Sequence, residues 1–124
     1  MSQFPSLSWF RQAAKSLEND EDFRRHGRWL RTRVALRVDQ DCWVMHFDRG
    51  LVLDVQEGMD AHDFLISGTA ERWDFLFRQG WGLVRLYRTG TLEIRGDAIE
   101  LMKNWKAFFF IAEGLKRHHA LGAA

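Results

Sequence analysis

Apolar residues along this chain follow a helical period first, an alternating period in the middle and a helical period again at the end. Steps of three and four residues from Leu7 to Leu17 predict a helix, with Ser6 or Ser8 as its N-cap. The segment after it opens a short second helix that ends near Gly27. Steps of two then predict four strands, within residues 30–38, 42–48, 51–55 and 62–68.

The second half of the chain predicts further helices around one more strand. Thr69 is a suitable N-cap for a helix over residues 70–80, a short helical turn follows at 83–88, and residues 91–95 alternate as a fifth strand. Asp97 then caps one long final helix. The broad apolar face of that helix comprises Leu101, Met102, Trp105, Phe108, Phe109, Ala112 and Leu115. These elements predict an α+β domain in which helices cover one face of a five-stranded, mostly antiparallel sheet.

Three consecutive phenylalanines in the final helix cannot all face one core, because successive helical residues lie about 100° apart. Phe108 and Phe109 continue the apolar face, whereas Phe110 follows Met102 and Lys106 at helical steps and lies off that face. We therefore expect Phe110 to be covered on a second side by a ligand, a bilayer or another chain.

Length and composition indicate one domain with an aromatic-rich interior. The 124 residues suffice for a core without disulfides, and ten Phe, six Trp and one Tyr supply much apolar surface. We divide the domain into N-terminal helices at residues 1–29, a core of sheet and helices at 30–117, and a tail at 118–124. The aromatic residues either fill the core or line a space for a ligand, and periodicity does not separate the two.

The charge balance and the reactive residue types argue against several classes of function. A net charge of +1 disfavours a dedicated nucleic-acid binder. The single cysteine, Cys42, suits a reducing cytoplasm, and neither a signal peptide nor a membrane span is predicted. The five histidines lack metal-site spacing and no Gly-rich phosphate loop is present, so no metal or cofactor is expected. His46 with Asp48 or Asp54 is a weak acid–base candidate, because a turn position explains Asp48 better.

Basic residues concentrate just before and within the first predicted strand. Arg28, Arg31, Arg33 and Arg37 fall in a stretch without acidic residues. They form either a patch for an anion or a lipid headgroup, or the solvated outer face of a strand whose charge is balanced by acids on its neighbours. The overall neutrality of the chain suits the second interpretation better.

The order of three segments resembles the sterol carrier protein-2 family of lipid-transfer domains. The segments are "CWVMHFDRGLVLDVQEG", "DFLISGTAERWDFLF" and "GTLEIRGDAIELM". The family pattern G-x-L-x-I-x-G-D fits residues 90–97 at every position, whereas Arg49 is inserted in the "DG" turn between two strands. The resemblance implies an α+β fold with an apolar tunnel between sheet and helices, and non-enzymatic binding of fatty acyl chains, sterols or other apolar molecules. The chain ends without a peroxisomal address, so the ligand need not be a sterol.

Taken with this resemblance, the aromatic residues become candidates for the wall of an apolar cavity. The candidate residues are Trp43, Met45, Phe47, Trp73, Phe77, Trp81, Met102, Trp105, Phe108 and Phe109. We expect six residues to be mostly buried around one interior, namely Trp43, Phe47, Trp73, Leu92, Trp105 and Phe109. A hydrophobic small molecule or lipid is the expected partner, with a transient membrane or protein contact through Phe110 and the arginines.

Two alternatives stay open beside the carrier interpretation. The first is an accessory subunit that docks on an enzyme and presents its apolar substrate, for which self-association through an apolar patch is the expected symptom. The second is a small cone-shaped α+β isomerase, in which a buried carboxylate or histidine acts as the general base. An acidic or histidine side chain at the floor of the cavity would favour the enzyme.

Overall fold

The computed structural model describes residues 3–59 and 61–123. Six helices and five strands follow one another in these ranges, in the predicted order except that the last predicted helix is divided in two. The helices are α1 (Leu7–Glu18), α2 (Glu21–His26), α3 (Ala70–Phe77), α4 (Leu83–Arg88), α5 (Ala98–Lys103) and α6 (Trp105–Ala123). The strands are β1 (Arg31–Val38), β2 (Asp41–Asp48), β3 (Leu51–Glu57), β4 (Phe64–Gly68) and β5 (Glu93–Arg95).

The strands form one five-stranded sheet in the order β3-β2-β1-β4-β5. The pairs β1–β2, β2–β3 and β4–β5 are antiparallel, and the central pair β1–β4 is parallel. A bulge between His46 and Phe47 shifts the register of β2 against β3. The mostly antiparallel α+β fold predicted from the sequence is therefore confirmed.

The alternation of residue types decides which face of the sheet the helices cover. On β1, Thr32, Val34, Leu36 and Val38 are buried on the inner face, whereas the arginines of this strand are exposed on the outer face. The inner faces of β2 and β4 carry larger side chains in the same way. One contiguous cluster of buried apolar residues therefore lies between the sheet and the helices.

Helix α1 begins at its predicted cap, because the Ser6 side chain accepts a hydrogen bond from the Trp9 backbone N–H at 3.1 Å. Its apolar face lies on the sheet, where the ring of Phe10 stacks on that of Trp43 with centroids 4.9 Å apart. Phe23 of α2 packs on Phe47 of β2 at 5.7 Å. The two N-terminal helices thus cover the end of the sheet formed by β2 and β3, and aromatic side chains fill the space beneath them.

The single long final helix predicted from the sequence is wrong, because the chain breaks at Asn104 into α5 and α6. Asn104 has φ −107° and ψ 17°, and its side-chain amide donates to the Glu100 carbonyl at 2.9 Å. This side chain competes with the backbone ladder and ends α5. On either side of the break, Met102 is exposed and Trp105 is half-buried. The buried residues of α6 are Ala107, Phe108, Ile111, Ala112, Gly114 and Leu115.

Phe109 and Phe110 take different positions from those expected. Phe109 was expected in the interior, but it is half-buried and lies outside the main cluster. Phe110 was expected to be covered by a ligand, a bilayer or another chain, but it packs against the edge of that cluster. The second side of Phe110 is covered by His26 of α2, so no external partner is needed to explain this aromatic residue.

Gly96 explains why the "GTLEIRGD" segment needs a glycine before its aspartate. The φ of Gly96 is +150°, and a Cβ there would lie 2.3 Å from Phe64 Cδ1 and 2.9 Å from the Asp63 carbonyl oxygen. Any side chain would collide with the start of β4. The chain therefore passes close to β4 before the Asp97 carboxylate accepts the Glu100 N–H at 3.0 Å and caps α5. At the other end, α6 continues to Ala123, so residues 118–123 are helical where the sequence suggested a tail.

Candidate functional site

The expected cavity residues divide into a packed interior and a surface group. The interior group is buried between the sheet and the helices and comprises Trp43, Met45, Phe47, Trp73, Phe77 and Phe108. The surface group is half-buried or exposed and comprises Trp81, Met102, Trp105 and Phe109. Of the six residues expected to be mostly buried, four lie in the interior cluster and Trp105 packs at its edge, whereas Phe109 is outside.

Among the described residues, the interior contains one buried side-chain polar atom that has no protein partner. The indole N–H of Trp73 donates to the Arg37 carbonyl at 2.9 Å, which satisfies it. The indole Nε1 of Trp43 is buried and has no hydrogen bond. Leaving a buried donor unpaired costs about 1–3 kcal/mol, so Trp43 places a strong hydrogen-bond donor inside an apolar layer.

An apolar groove lies where α4 meets α5 and the first turn of α6. The volume of the groove is about 350 Å³. The residues that line it are Val84, Tyr87, Arg88, Ala98, Leu101, Met102 and Trp105. Met102 and Trp105, both expected at an apolar site from the sequence, meet here on its wall.

The groove is continuous with the core through its floor. Leu101 lines the groove and also belongs to the buried cluster, and Trp105 packs against that cluster from outside. The ring of Trp105 lies 5.7 Å from that of Tyr87, which joins α6 to α4 across the groove. Beside it, the Arg85 guanidinium lies 3.7 Å from the ring centre of Trp81. An apolar molecule in the groove would therefore touch aromatic walls and a floor made by the protein interior.

The described lining of the groove contains neither a carboxylate nor an imidazole. Arg88 is the ionisable cation among its described residues. Burial raises the pKa of the Cys42 thiol above its ordinary value despite the charge of Arg37, which disfavours a nucleophilic thiolate. The cone-type isomerase interpretation therefore gains no support from the groove.

Sequence reasoning missed five of the groove residues because each is unremarkable by itself. Val84, Tyr87 and Arg88 are exposed residues at helical steps on α4, and Ala98 and Leu101 lie on α5. The sequence held one signal for this site, the amphipathic spacing of "LVRLYR". Leu83 and Leu86 of this segment face the core, and other apolar residues of the segment remain on its opposite side.

The four arginines of the expected anion patch do not form one cluster. Arg31 and Arg33 line a polar groove of about 460 Å³ on the outer face of the sheet, together with His46 and His62. Arg37 lies towards the other end of β1, where its Nε donates to the Asp39 carbonyl at 3.1 Å.

Arg28 lies apart from this strand, with its guanidinium 5.7 Å from the ring of Trp29. Acids balance part of the strand's charge, because Asp48 contacts Arg31 at 3.6 Å and Arg49 at 3.0 Å. His46 and Asp54 are cross-strand partners. The outer face is thus a mixed-charge surface rather than a continuous basic patch.

Within residues 3–59 and 61–123, no group of three or more His, Cys, Asp or Glu could hold a metal ion. No described helix has the length and apolar content to cross a membrane.

Comparison with known proteins identifies the architecture. The model of the SCP-2 sterol transfer family matches residues 9–109. A crystal structure of sterol carrier protein 2 superposes with a TM-score of 0.81 at 17% identity, covering 92% of this chain and 98% of the other. A conserved hypothetical protein from Thermus thermophilus, described as possibly a sterol carrier protein, gives a TM-score of 0.80 at 17% identity, covering 95% of this chain and 90% of the other.

A third solved structure is the UbiJ-SCP2 ubiquinone synthesis protein, with a TM-score of 0.59 at 23% identity and coverage of 91% and 97%. At these identities the structural likenesses concern the fold. No curated protein sequence matches this chain.

Proposed function

Since this chain belongs to the SCP-2 sterol transfer family, we propose that it is a non-catalytic binding protein for an apolar, lipid-like molecule. The ligand lies in the groove between α4, α5 and α6, with the aromatic interior beneath its floor. The observation that carries the proposal is the groove itself, whose apolar walls open to solvent while its floor belongs to the core. Small-molecule sites are usually apolar concavities with few polar groups.

The size of the groove limits what it holds without rearrangement. Its volume of about 350 Å³ lies near the lower end of ordinary ligand pockets, which span about 300–1,000 Å³. A short acyl segment or one ring system fits this space. A longer ligand would extend inward past Leu101, the only buried side chain of α5, towards the expected cavity residues of the interior.

Two polar groups, one at the groove and one in the interior, suggest the chemistry of the ligand's head. Arg88 stands at the groove and offers a cation to a carboxylate or phosphate. Trp43 would offer its unpaired N–H to a carbonyl, hydroxyl or carboxylate oxygen of a ligand that reached the interior. Both groups are donors, so an apolar molecule with a hydrogen-bond acceptor at one end fits better than a pure hydrocarbon. Cys42 is buried as a free thiol, which suits a reducing compartment, and we place this function in the cytoplasm.

Binding of a fluorescent long-chain fatty acid tests the proposal directly. Val84 lines the groove and Leu53 is a comparable exposed aliphatic residue on β3. A carboxylate placed in the apolar groove by Val84→Glu should weaken binding at least about tenfold, whereas Leu53→Glu should leave it unchanged. Because both side chains are partly exposed, neither variant should unfold the protein.

Native mass spectrometry and organic extraction of the purified protein complete this test. A copurifying apolar molecule, lost on Val84→Glu, is the expected result. The proposal fails if no apolar molecule copurifies and the fatty acid does not bind. It also fails if Val84→Glu and Leu53→Glu bind the probe alike.

The exposed residues around the groove also support one alternative, an accessory protein that docks on an enzyme. Val84, Tyr87 and Met102 remain exposed in the isolated chain, and one structural relative is a ubiquinone synthesis protein. An accessory role predicts self-association of the isolated protein, or weak ligand binding until a partner is added. Size-exclusion chromatography with and without the fatty acid distinguishes a carrier from an accessory protein. A strictly monomeric protein that binds the probe by itself would weaken the accessory interpretation.

A further inference from the structure

Phe4 lies before the first helix and directs its ring into the molecule. It belongs to no helix or strand and stands two residues ahead of Ser6, the N-cap of α1. Its ring is half-buried and packs against the main apolar cluster from outside. A large aromatic side chain from a segment without regular structure therefore forms the outer edge of an aromatic interior.

Aromatic rings from three helices surround Phe4. The ring centroid of Phe4 lies 4.8 Å from that of Trp9 on α1 and 4.8 Å from that of Phe77 on α3. With His119 of α6 the distance is 6.2 Å and the angle between the planes is 75°. Such edge-to-face arrangements are the ones that aromatic pairs prefer. The rings around Phe4, here named the aromatic cage, belong to Trp9, Phe10, Trp73, Phe77 and His119.

The rings of the aromatic cage also contact one another. Trp9 lies 5.0 Å from Phe10 and 5.9 Å from Phe77 between ring centroids. Phe77 stacks on Trp73 at 6.1 Å and on His119 at 4.3 Å. These contacts join α1, α3 and α6 without the help of Phe4. Phe4 therefore occupies a place among rings that already pack together.

One ring separates Phe4 from the buried donor that has no protein partner. Phe10 lies 5.8 Å from Phe4, and Trp43 stacks on the same Phe10 at 4.9 Å. The indole Nε1 of Trp43 is buried without a hydrogen bond. In a core built only for packing, buried donors are nearly always paired. An unused donor one ring away from Phe4 therefore points to a ligand that enters from this end.

We propose that the aromatic cage is a second binding site for apolar molecules, and that Phe4 occupies it as a built-in competitor in the free protein. The ligand is an uncharged molecule that ends in an aromatic ring, because such a ring takes over the edge-to-face contacts of Phe4. Phe4 leaves the cage when the ligand enters and returns when the ligand leaves. No residue of the cage lines the groove between α4, α5 and α6, so this inference does not rest on the proposed function.

Fluorine NMR measures the displacement of Phe4 directly. The protein carries 4-fluorophenylalanine in place of Phe4, and the probe is N-phenyl-1-naphthylamine, an uncharged aromatic molecule that fluoresces in apolar sites. Adding the probe should move the resonance of this label towards the value that it has in urea-unfolded protein. The control protein carries the label in place of Phe110, which packs on His26, and its resonance should not move.

Competition by Phe4 also predicts a change in affinity for the probe. Phe4→Ala removes the competing ring, so the probe should bind about fivefold more tightly than it binds the wild type. Phe109→Ala is the matched control, because Phe109 is another half-buried phenylalanine and lies outside the main cluster. It should bind the probe as the wild type does. Circular dichroism confirms that each variant is folded.

The outcomes separate the aromatic cage from the groove. Val84→Glu places a carboxylate in the groove and should leave the displacement of Phe4 unchanged. If the fatty acid does not bind but the probe displaces Phe4, the proposed function fails and this inference stands. The inference is overturned if the probe does not bind, or if it binds without moving the resonance at position 4. Equal affinities of Phe4→Ala and Phe109→Ala, or loss of the displacement in Val84→Glu, would overturn it as well.

Discussion

The ring of Phe110 stacks on the imidazole of His26, with ring centroids 5.0 Å apart and an angle of 13° between the planes. This contact joins the middle of α6 to the end of α2, so the C-terminal helix is held against the N-terminal helices. Phe109 instead meets Phe110 edge to face at 5.2 Å and lies outside the main cluster. The two adjacent phenylalanines therefore have different structural roles.

Phe110→Ala should destabilise the fold more than Phe109→Ala. Phe110 is partly buried against both the core and His26, and its loss should cost about 2 kcal/mol. Phe109 makes fewer internal contacts, and its loss should cost about 1 kcal/mol or less. Urea denaturation of both variants measures the difference. Equal losses, or a larger loss for Phe109→Ala, would contradict the placement of these rings.

Gly114 allows α6 to approach α1 closely, and its replacement by alanine is the second prediction. A Cβ at this position would lie 2.4 Å from Cδ2 of Leu17, whose side chain is fully buried. Alanine normally stabilises a helix by about 0.5–1 kcal/mol relative to glycine. Here the displacement of Leu17 should outweigh that gain and leave a net loss of about 1–2 kcal/mol.

Gly122 provides the control on the same helix, because a Cβ there meets nothing within 4 Å. Gly122→Ala should therefore leave the free energy of unfolding unchanged or slightly increase it. If Gly114→Ala also stabilises the protein in thermal denaturation, the close packing of α1 on α6 is refuted.

Much of the fold could be predicted because its determinants are local. Alternation placed the five strands, and the Ser6, Thr69 and Asp97 side chains accept backbone N–H groups at the helix starts where they were expected. The break at Asn104 was not predictable in this way. Neither glycine nor proline marks it, and it depends on a single amide that turns back to the Glu100 carbonyl.

The candidate site was predictable only in part, because it depends on how elements meet. Periodicity identified Met102 and Trp105 as apolar residues of interest, and both line the groove. Val84 and Tyr87 complete its wall only because α4 lies opposite α5, and local sequence carries no information on that arrangement. Alternation correctly placed three of the arginines on the outer face of β1. It could not predict which acidic residues lie beside them.

Acidification should destabilise the protein through the two histidines near the end of α6. Burial lowers the pKa of His118 and of His119, and His118 is lowered further by the charge of His119. For His119, Asp74 raises the pKa and Arg78 lowers it, each less than burial does. The imidazole of His119 stacks on the ring of Phe77, with centroids 4.3 Å apart.

A lowered histidine pKa means that the unfolded chain binds more protons than the folded one near the ordinary value of about 6.5. The stability that the two neutral histidines contribute is therefore fully present above the unfolded pKa. It is lost as the pH decreases through that value towards the folded pKa. The urea midpoint should be lower at about pH 5.5 than at about pH 7.5. A variant that combines His118→Gln with His119→Gln should show a smaller difference in urea midpoint between the two pH values. The control variant Ala120→Gln, on the same helix, should show the same difference as the wild type. An unchanged difference in the double variant would exclude these histidines as the cause.

The two buried tryptophans of the interior offer the sharpest comparison, because they differ in one hydrogen bond. Trp43 and Trp73 are 2% and 1% exposed, so Trp→Phe removes a similar volume at each position. At Trp73 the change also removes the N–H donated to the Arg37 carbonyl. At Trp43 it removes a donor that has no protein partner. Trp73→Phe should therefore cost about 1–2 kcal/mol more than Trp43→Phe in the free energy of unfolding, measured by urea denaturation of delipidated protein. If Trp43→Phe costs as much as Trp73→Phe, the Trp43 N–H has a partner within the protein and is no longer a candidate donor to a ligand.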